Sequence, residues 1–426
     1  MRFALKLEAG VRVIKTVLAV SVVAMTAFVA GCGGGGGDSS SSSSNNNNNN
    51  TNTGPSQQPI AATAANTLAV TVGAGVKGNI NIPTVSVTVC APGTTSCMTV
   101  NNVLLDTGSY GLRIVNSALG SFASQLPTQQ ATAGGQLAEC THFADGFTWG
   151  SIRKATVKIS GEVASNIPIQ VIGDLPTSTV PAQGCASGVN ESTADALGAN
   201  GILGIGVAPV DCGVACSDPA NVADSSNYYA CPNGMNCTRT LAETQNQVAN
   251  PVPFFAVDNN GVIVQMAPIS SNGAASAAGT VVFGIGTQAN NGKTAAATYT
   301  TDASGDFPSR GQSNTVFLDS GSNGYFFVDS TIPICSNLPD FYCPTSTLQR
   351  TLNLTGANGA TGTATISIAN AQTLLSNTSN FAFNNLGGQV PGLAGTDLGL
   401  PFFFGRYVYY GMDKTATGGA APFVAF

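Results

Sequence analysis

The sequence predicts an all-β protein of two lobes, arisen by duplication and sharing a central cleft. Three observations predict it. Two segments read as copies of each other: Val103-Leu104-Leu105-Asp106-Thr107-Gly108-Ser109-Tyr110-Gly111-Leu112 and Val316-Phe317-Leu318-Asp319-Ser320-Gly321-Ser322-Asn323-Gly324-Tyr325. Short β-branched runs bounded by Gly, Pro, Asn or Asp recur along the chain, while helix signals are few. Beyond a low-complexity stretch lie roughly 360 residues, more than one ordinary domain needs.

Four parts follow in order. Residues 1–31 read as a targeting segment: Arg2, Lys6, Arg12 and Lys15 precede an uncharged run, Thr16 to Ala30, too short for a comfortable membrane span. Its end, Phe28-Val29-Ala30-Gly31-Cys32, resembles the lipobox of bacterial lipoproteins. That resemblance implies a diacylated Cys32 as the mature N-terminus. Gly33 in place of Asp matches outer-membrane sorting, so the expected location is the bacterial cell envelope, lipid-anchored at the outer membrane. Residues 32–62 form the tether; from Gly33 to about Pro59 it runs Gly, then Ser, then Asn, with almost nothing to bury. About 27 residues of such coil reach roughly 30 Å.

Residues 63–250 and 251–426 are the expected lobes, parted near Asn250-Pro251 ahead of Phe254-Phe255-Ala256-Val257. Strands are predicted at Leu68–Val72, Ile80–Val89, Met98–Leu105, Ala155–Ile159, Ile167–Ile172, Val262–Met266, Thr280–Phe283, Ala296–Tyr299, Thr363–Ile368 and Tyr407–Met412. The best helix signal is Thr238–Val248, which stops before Pro251. A fainter repeat lies further on. Gly201-Ile202-Leu203-Gly204 follows the first Asp turn and Leu398-Gly399-Leu400-Pro401 follows the second.

Composition removes several function classes. The formal charge is −6, and without Arg2, Lys6, Arg12, Lys15 and Glu8 it falls to near −9. With no basic patch to neutralise phosphates, nucleic acid is not an expected partner. Ten cysteines remain beside Cys32, an even number in an exported chain, which predicts disulfides. Cys90 with Cys97 and Cys335 with Cys343 each bracket a short loop. Cys212, Cys216, Cys231 and Cys237 pair among themselves in an order the spacing leaves open, and Cys140 is left for Cys185. The four-cysteine spacing is a poor zinc match, so neither metal nor cofactor is expected.

The duplicated Asp turns carry the chemistry. Two carboxyls at close range cannot both ionise easily, so they share a proton, one acting as base and the other as acid. On these turns the chain resembles the pepsin-like aspartic peptidases, two-lobed all-β enzymes with a substrate cleft. A closer likeness is to bacterial lipoproteins of unknown function that carry the run Asp106-Thr107-Gly108-Ser109-Tyr110-Gly111-Leu112-Arg113. The resemblance implies Asp106 and Asp319 as the dyad, with Thr107, Gly108, Ser109, Ser320, Gly321 and Ser322 supporting it. Thr107 and Ser320 would reach across to lock the lobes together. Gly204 and Gly399 correspond to the glycines of the psi-shaped loops. Tyr409-Tyr410-Gly411-Met412-Asp413 through Pro422 is similar to the C-terminal strand pair of that family.

The pattern also departs from the family. The flap candidate, Phe143 to Gly150, puts Phe143 where a tyrosine hydroxyl is usual, with Gly146 and Trp149 as its other marked residues. Arg113 stands where a large apolar residue normally supports that tyrosine. No Lys or Arg occurs between Gly33 and Asn66, so a basic prosegment is missing. His142 is the only histidine and no Gly-x-Ser-x-Gly elbow occurs to hold a nucleophilic serine, which argues against a serine hydrolase. Asp302 and Asp306 read as a solvated turn.

Two functions are therefore expected from the sequence. One is a monomeric, envelope-anchored aspartic endopeptidase acting on an extended peptide or protein. The other is a non-catalytic binding module on the same scaffold, gripping an extended peptide or surface polymer.

Overall fold

The computed structural model describes residues 55–143, 146–308, 315–390, 393 and 395–426. The targeting segment, Cys32 and the tether as far as residue 54 lie outside the described residues, as do Ala144 and Asp145 of the flap candidate. The chain is mostly β, and each α-helix among the described residues is four residues long.

The N-terminal half supplies β1 (Thr67–Val72), β2 (Pro83–Cys90), β3 (Cys97–Asp106), β4 (Tyr110–Val115), β5 (Gln136–His142), β6 (Gly146–Ile159), β7 (Glu162–Ile172), β8 (Val189–Asn190), β9 (Gly201–Ile205), β10 (Tyr228–Cys231) and β11 (Thr238–Arg239). The C-terminal half adds β12 (Gly261–Met266), β13 (Ala277–Phe283), β14 (Thr298–Thr300), β15 (Thr315–Leu318), β16 (Tyr325–Phe326), β17 (Leu348–Thr355), β18 (Thr361–Ile368), β19 (Gly387–Gly388), β20 (Gly395–Leu398), β21 (Tyr407–Gly411) and β22 (Phe423–Ala425).

Six strands close into a barrel. β2 pairs with β3, β3 with β9, β9 with β4, β4 with β7, β7 with β6, and β6 returns to β2. The strands alternate as a sheet with one buried face requires: on β2, Val85, Val87 and Val89 point into the core, while Ser86 and Thr88 point out. Closing the ring gives each of these strands a neighbour on both sides, with some contacts confined to three residues, as for Leu104–Asp106 against β9.

A second path runs β1–β13–β12–β21–β22–β14. Its two faces differ. Val408 and Tyr410 of β21 enter the main core, while Tyr407 and Tyr409 join a separate cluster with Ile263 and Val282 on the other side. The C-terminal strand pair suggested by resemblance is present as β21 and β22. The first strand of the N-terminal half pairs along its whole length with β13 of the C-terminal half.

Two local expectations give way to tertiary contacts. The helix expected over Thr238–Val248 is β11, then loop, then a 3₁₀ turn at Thr244–Asn246. Its backbone N–H groups are used elsewhere: Thr240 donates to the Tyr228 carbonyl, Ala242 to Cys216 and Val248 to the Tyr228 hydroxyl. Helix propensity is a weak preference when neighbouring strands take the donors. The strand expected from Ile80 begins only at Pro83, because Asn81 sits at φ 52°. Its buried amide donates to the carbonyls of Asn323 and Phe383 and accepts from the Phe383 N–H. Asn tolerates that left-handed backbone better than most residues.

Five disulfides form: Cys90–Cys97, Cys140–Cys185, Cys212–Cys216, Cys231–Cys237 and Cys335–Cys343. They include the three expected pairs and fix the order within the cluster of four. Chain entropy ranks them by loop length. Losing Cys140–Cys185, which spans 45 residues, should cost ~4 kcal/mol, the most of the five. Urea unfolding of a Cys140→Ala/Cys185→Ala variant should show that loss, and Cys212→Ala/Cys216→Ala a clearly smaller one.

Candidate active site

The two Asp turns sit in the same local frame. In the first, β3 enters the turn, β4 leaves it, and β9 lies between them, parallel to β3 and antiparallel to β4. In the second, β15 enters, β16 leaves, and β20 lies between them with the same two senses. The registers correspond: Leu104 faces Ile202 and Asp106 faces Gly204, while Phe317 faces Asp397 and the Asp319 N–H donates to the Leu398 carbonyl. The fainter repeat in the sequence is thus β9 and β20, each packed behind an Asp turn.

Both turns hold their carboxylates alike. Gly108 N–H donates to Asp106 Oδ1 at 2.8 Å, and Ser109 Oγ donates to Oδ2 at 2.5 Å. Gly321 N–H donates to Asp319 Oδ1 at 2.8 Å, and Ser322 Oγ donates to Oδ2 at 3.0 Å. Close approach demands the glycines. A Cβ on Gly108 would lie 2.5 Å from Asp319 Cγ, and one on Gly321 would lie 2.8 Å from Asp106 Oδ1. Behind the turns, a Cβ on Gly204 would meet Tyr110 N at 2.6 Å, and one on Gly399 would meet the Gly324 carbonyl at 2.2 Å. Each carboxyl therefore rests over the other turn's glycine, and the two carboxyls lie within hydrogen-bond reach of each other.

A reciprocal clamp joins the turns. Thr107 N–H donates to Ser320 Oγ at 3.1 Å, and Ser320 N–H donates to Thr107 Oγ1 at 2.9 Å. Ser320 Oγ donates to the Leu105 carbonyl at 2.8 Å, while Thr107 Oγ1 stands 3.4 Å from the Leu318 carbonyl. Tyr410, rising from β21, donates to that same Leu318 oxygen at 3.0 Å.

Both aspartates are buried, Asp106 to 1% exposure and Asp319 to 0%. Burial first, then the carboxyls of Asp106 and Asp397, push Asp319 well above the usual carboxylate range; the Gly321 N–H works in the opposite direction. Asp319 is therefore harder to ionise than a solvated carboxyl. Asp397 of β20 is a third buried carboxyl beside the pair that sequence reasoning did not single out.

The flap candidate is the β5–β6 hairpin. Phe143 is buried at its tip, where its N–H donates to the Gly146 carbonyl. Gly146 pairs with Val189 of β8, whose carbonyl would lie 2.2 Å from any Cβ added there. Trp149 packs edge-on to Tyr229, in a cluster that includes Cys140 and Cys185, and its indole donates to Thr179 Oγ1. That indole N–H is committed to the hairpin's own surroundings. His142 contacts the Cys185 carbonyl through Nε2. In the Asp302–Asp306 turn, Asp302 Oδ1 accepts from the N–H groups of Ser304 and Asp306.

Arg113 anchors a buried ionic network at the base of that hairpin. Its guanidinium donates to Glu139 Oε1 at 2.8 Å, Asp211 Oδ2 at 3.0 Å, the Tyr110 carbonyl at 2.7 Å and Thr141 Oγ1 at 3.1 Å. Tyr228 donates to Asp211 Oδ1 at 2.7 Å and accepts from the Val248 N–H. Burial works to lower the Arg113 pKa, but Glu139 and Asp211 outweigh it and raise it. Burial and Glu139 push Asp211 well up, while Arg113 overcomes burial to hold Glu139 down. One guanidinium therefore sits between two buried carboxyls, of which Asp211 is the harder to ionise. The signal was a charge inside the apolar run Gly111-Leu112-Arg113-Ile114-Val115. Its partners were not legible.

Among solved structures, the chain is similar to the crystal structure of aspartic proteinase from Irpex lacteus. They share 15% identity over 85% of this chain and 97% of that one, with a TM-score of 0.42. No curated protein matches the chain. One family profile does, over residues 62–426, and its description is Protein of unknown function (DUF3443).

Proposed function

The chain belongs to this family of unknown function, DUF3443, and we propose that it is an envelope-anchored aspartic endopeptidase using Asp106 and Asp319 as its dyad. The observation that carries this reading is the meeting of the two buried carboxyls, each over the other turn's glycine. A water held between them gives a proton to the ionised member and attacks a peptide carbonyl. The protonated member then hydrogen-bonds to the developing oxyanion and later passes its proton to the leaving amine. On this reading residues 63–250 and 251–426 are two lobes, an extended peptide lies between them, and Cys32 carries the lipid.

A second reading, a binding module that grips a peptide without cutting it, is favoured by Phe143, which offers no hydroxyl where the flap tyrosine would. Incubating the purified protein with a denatured protein between pH 3 and 7, with and without a statine-type inhibitor, separates the two. Inhibitor-sensitive fragments are the expected result. Intact substrate across that range, with the inhibitor still bound, would leave the binding module.

A further inference from the structure

We infer that Arg113 is a positioning residue that bolts the base of the β5–β6 hairpin to the strand leaving the Asp106 turn, so that hairpin and dyad keep one fixed relation. A single guanidinium is shared among three parts of the chain. Within its own strand β4, Nη1 donates to the Tyr110 carbonyl at 2.7 Å, just past the Asp106 turn. On β5, Glu139 Oε1 accepts from Nη2 at 2.8 Å and Thr141 Oγ1 from Nε at 3.1 Å. In the segment after β9, Asp211 Oδ2 accepts from Nη2 at 3.0 Å. A lysine, a point charge without a fork, could not serve all four acceptors at these positions.

Strand alternation turns these bonds into an anchor for the hairpin. Glu139 and Thr141 share the face of β5 that meets Arg113, and Phe143 continues that face at the end of the strand. Cys140 lies on the opposite face, in the cluster that holds Trp149 and Cys185. Phe143 has no hydroxyl with which to tie the hairpin from its tip. The tie is at the base instead.

The surroundings of the guanidinium are themselves held. Tyr228 pairs with Glu139 across β10 and β5 and donates to Asp211, while the Glu139 carbonyl accepts from Gln170 Nε2 at 2.9 Å. The Arg113 and Glu139 side chains are 1% and 0% exposed. Lifting the base of the hairpin would therefore strip a buried guanidinium of its buried carboxylate, which is severe. The base is the fixed end of the hairpin, and it presets the wall that an extended peptide would meet, so binding needs no separate ordering step there.

That last consequence rests on the peptidase reading, whereas the anchor does not, so two measurements are needed. Thr141→Val removes the acceptor of Nε and leaves both ion pairs in place. Arg113→Met/Glu139→Gln removes the paired charges together and, with them, the ties to Tyr110 and Thr141. The first measurement is hydrogen exchange. Amides of residues 137–142 and 147–152 should exchange about tenfold faster than wild type in the double variant, and measurably faster in Thr141→Val, while those of β12 and β13 change little. Acceleration shared equally by β12 and β13, or absent from the hairpin, overturns the anchor. If the double variant does not fold, Thr141→Val decides by the same comparison. The second is steady-state hydrolysis. Thr141→Val should raise KM about fivefold with kcat near the wild-type value, because the hairpin wall serves substrate and transition state alike. A looser hairpin with unchanged KM overturns the positioning role. Wild-type protein that cleaves nothing defeats the peptidase reading, and hydrogen exchange still decides the anchor.

Discussion

Replacing either Asp106 or Asp319 by Asn is expected to cut peptide hydrolysis by about 10³–10⁴-fold, because each carboxyl supplies half of one acid–base exchange. The two losses should not add, since either change removes the shared proton. Folding should survive. In Asp319→Asn the new carboxamide is isosteric with the protonated carboxyl: its oxygen can keep accepting from the Gly321 N–H, while its NH2 donates to Ser322 Oγ in the reverse sense.

The pH dependence supplies an independent check on this first prediction. The folded pKa of Asp319 is raised, so its stabilising contribution is complete below the unfolded value of about 3.9 and is lost as pH rises through the folded value. Asp211 acts in the same sense, and Glu139, with a lowered pKa, in the opposite one. Those two are common to the wild type and the variant. Asp319→Asn should therefore flatten the fall in melting temperature above pH 4 relative to wild type. Parallel curves would show that the pair holds no extra proton.

Replacing Arg113 by Met should cost about 3–5 kcal/mol at pH 7, because it leaves the Glu139 carboxylate buried without its cation. The ionic pair is weak evidence of net stabilisation, but breaking it from one side is severe. Two outcomes separate this from loss of packing. At pH 4 the penalty should shrink, since Glu139 can then take up a proton in the variant. Adding Glu139→Gln to Arg113→Met should recover much of the loss at pH 7. Urea unfolding at both pH values reads each of these, and a penalty independent of pH would assign the effect to side-chain volume.

What the sequence disclosed and what it hid follow from how local each interaction is. The Asp turns were legible because strand, carboxylate, hydroxyl and glycine are contiguous and occur twice. β9 and β20 were fainter, yet still visible as glycine-bearing apolar runs. Disulfides with short loops could be read from spacing, whereas the order within Cys212, Cys216, Cys231 and Cys237 needed coordinates. The ionic network was hidden because Arg113 meets Glu139 at a separation of 26 residues and Asp211 at 98. Tyr410 was hidden more deeply: it reaches Leu318 across 92 residues, from a strand that looks like any other apolar one. The expected helix at Thr238–Val248 failed for the same reason, since its donors were claimed by Tyr228 and Cys216.

The pairing of β1 with β13 has a consequence for how the molecule assembles. Asn66, just before β1, donates to the carbonyl of Phe283, 217 positions downstream. Residues 67–72 are made early but have no β13 partner until the chain has passed residue 283, so they wait as a hydrophobic ribbon with an open edge. Closing so large a loop makes docking of that ribbon a late event, which cannot be complete before residue 282 has been made. The six-strand barrel needs no residue beyond 205 to close, so the waiting part is β1 alone.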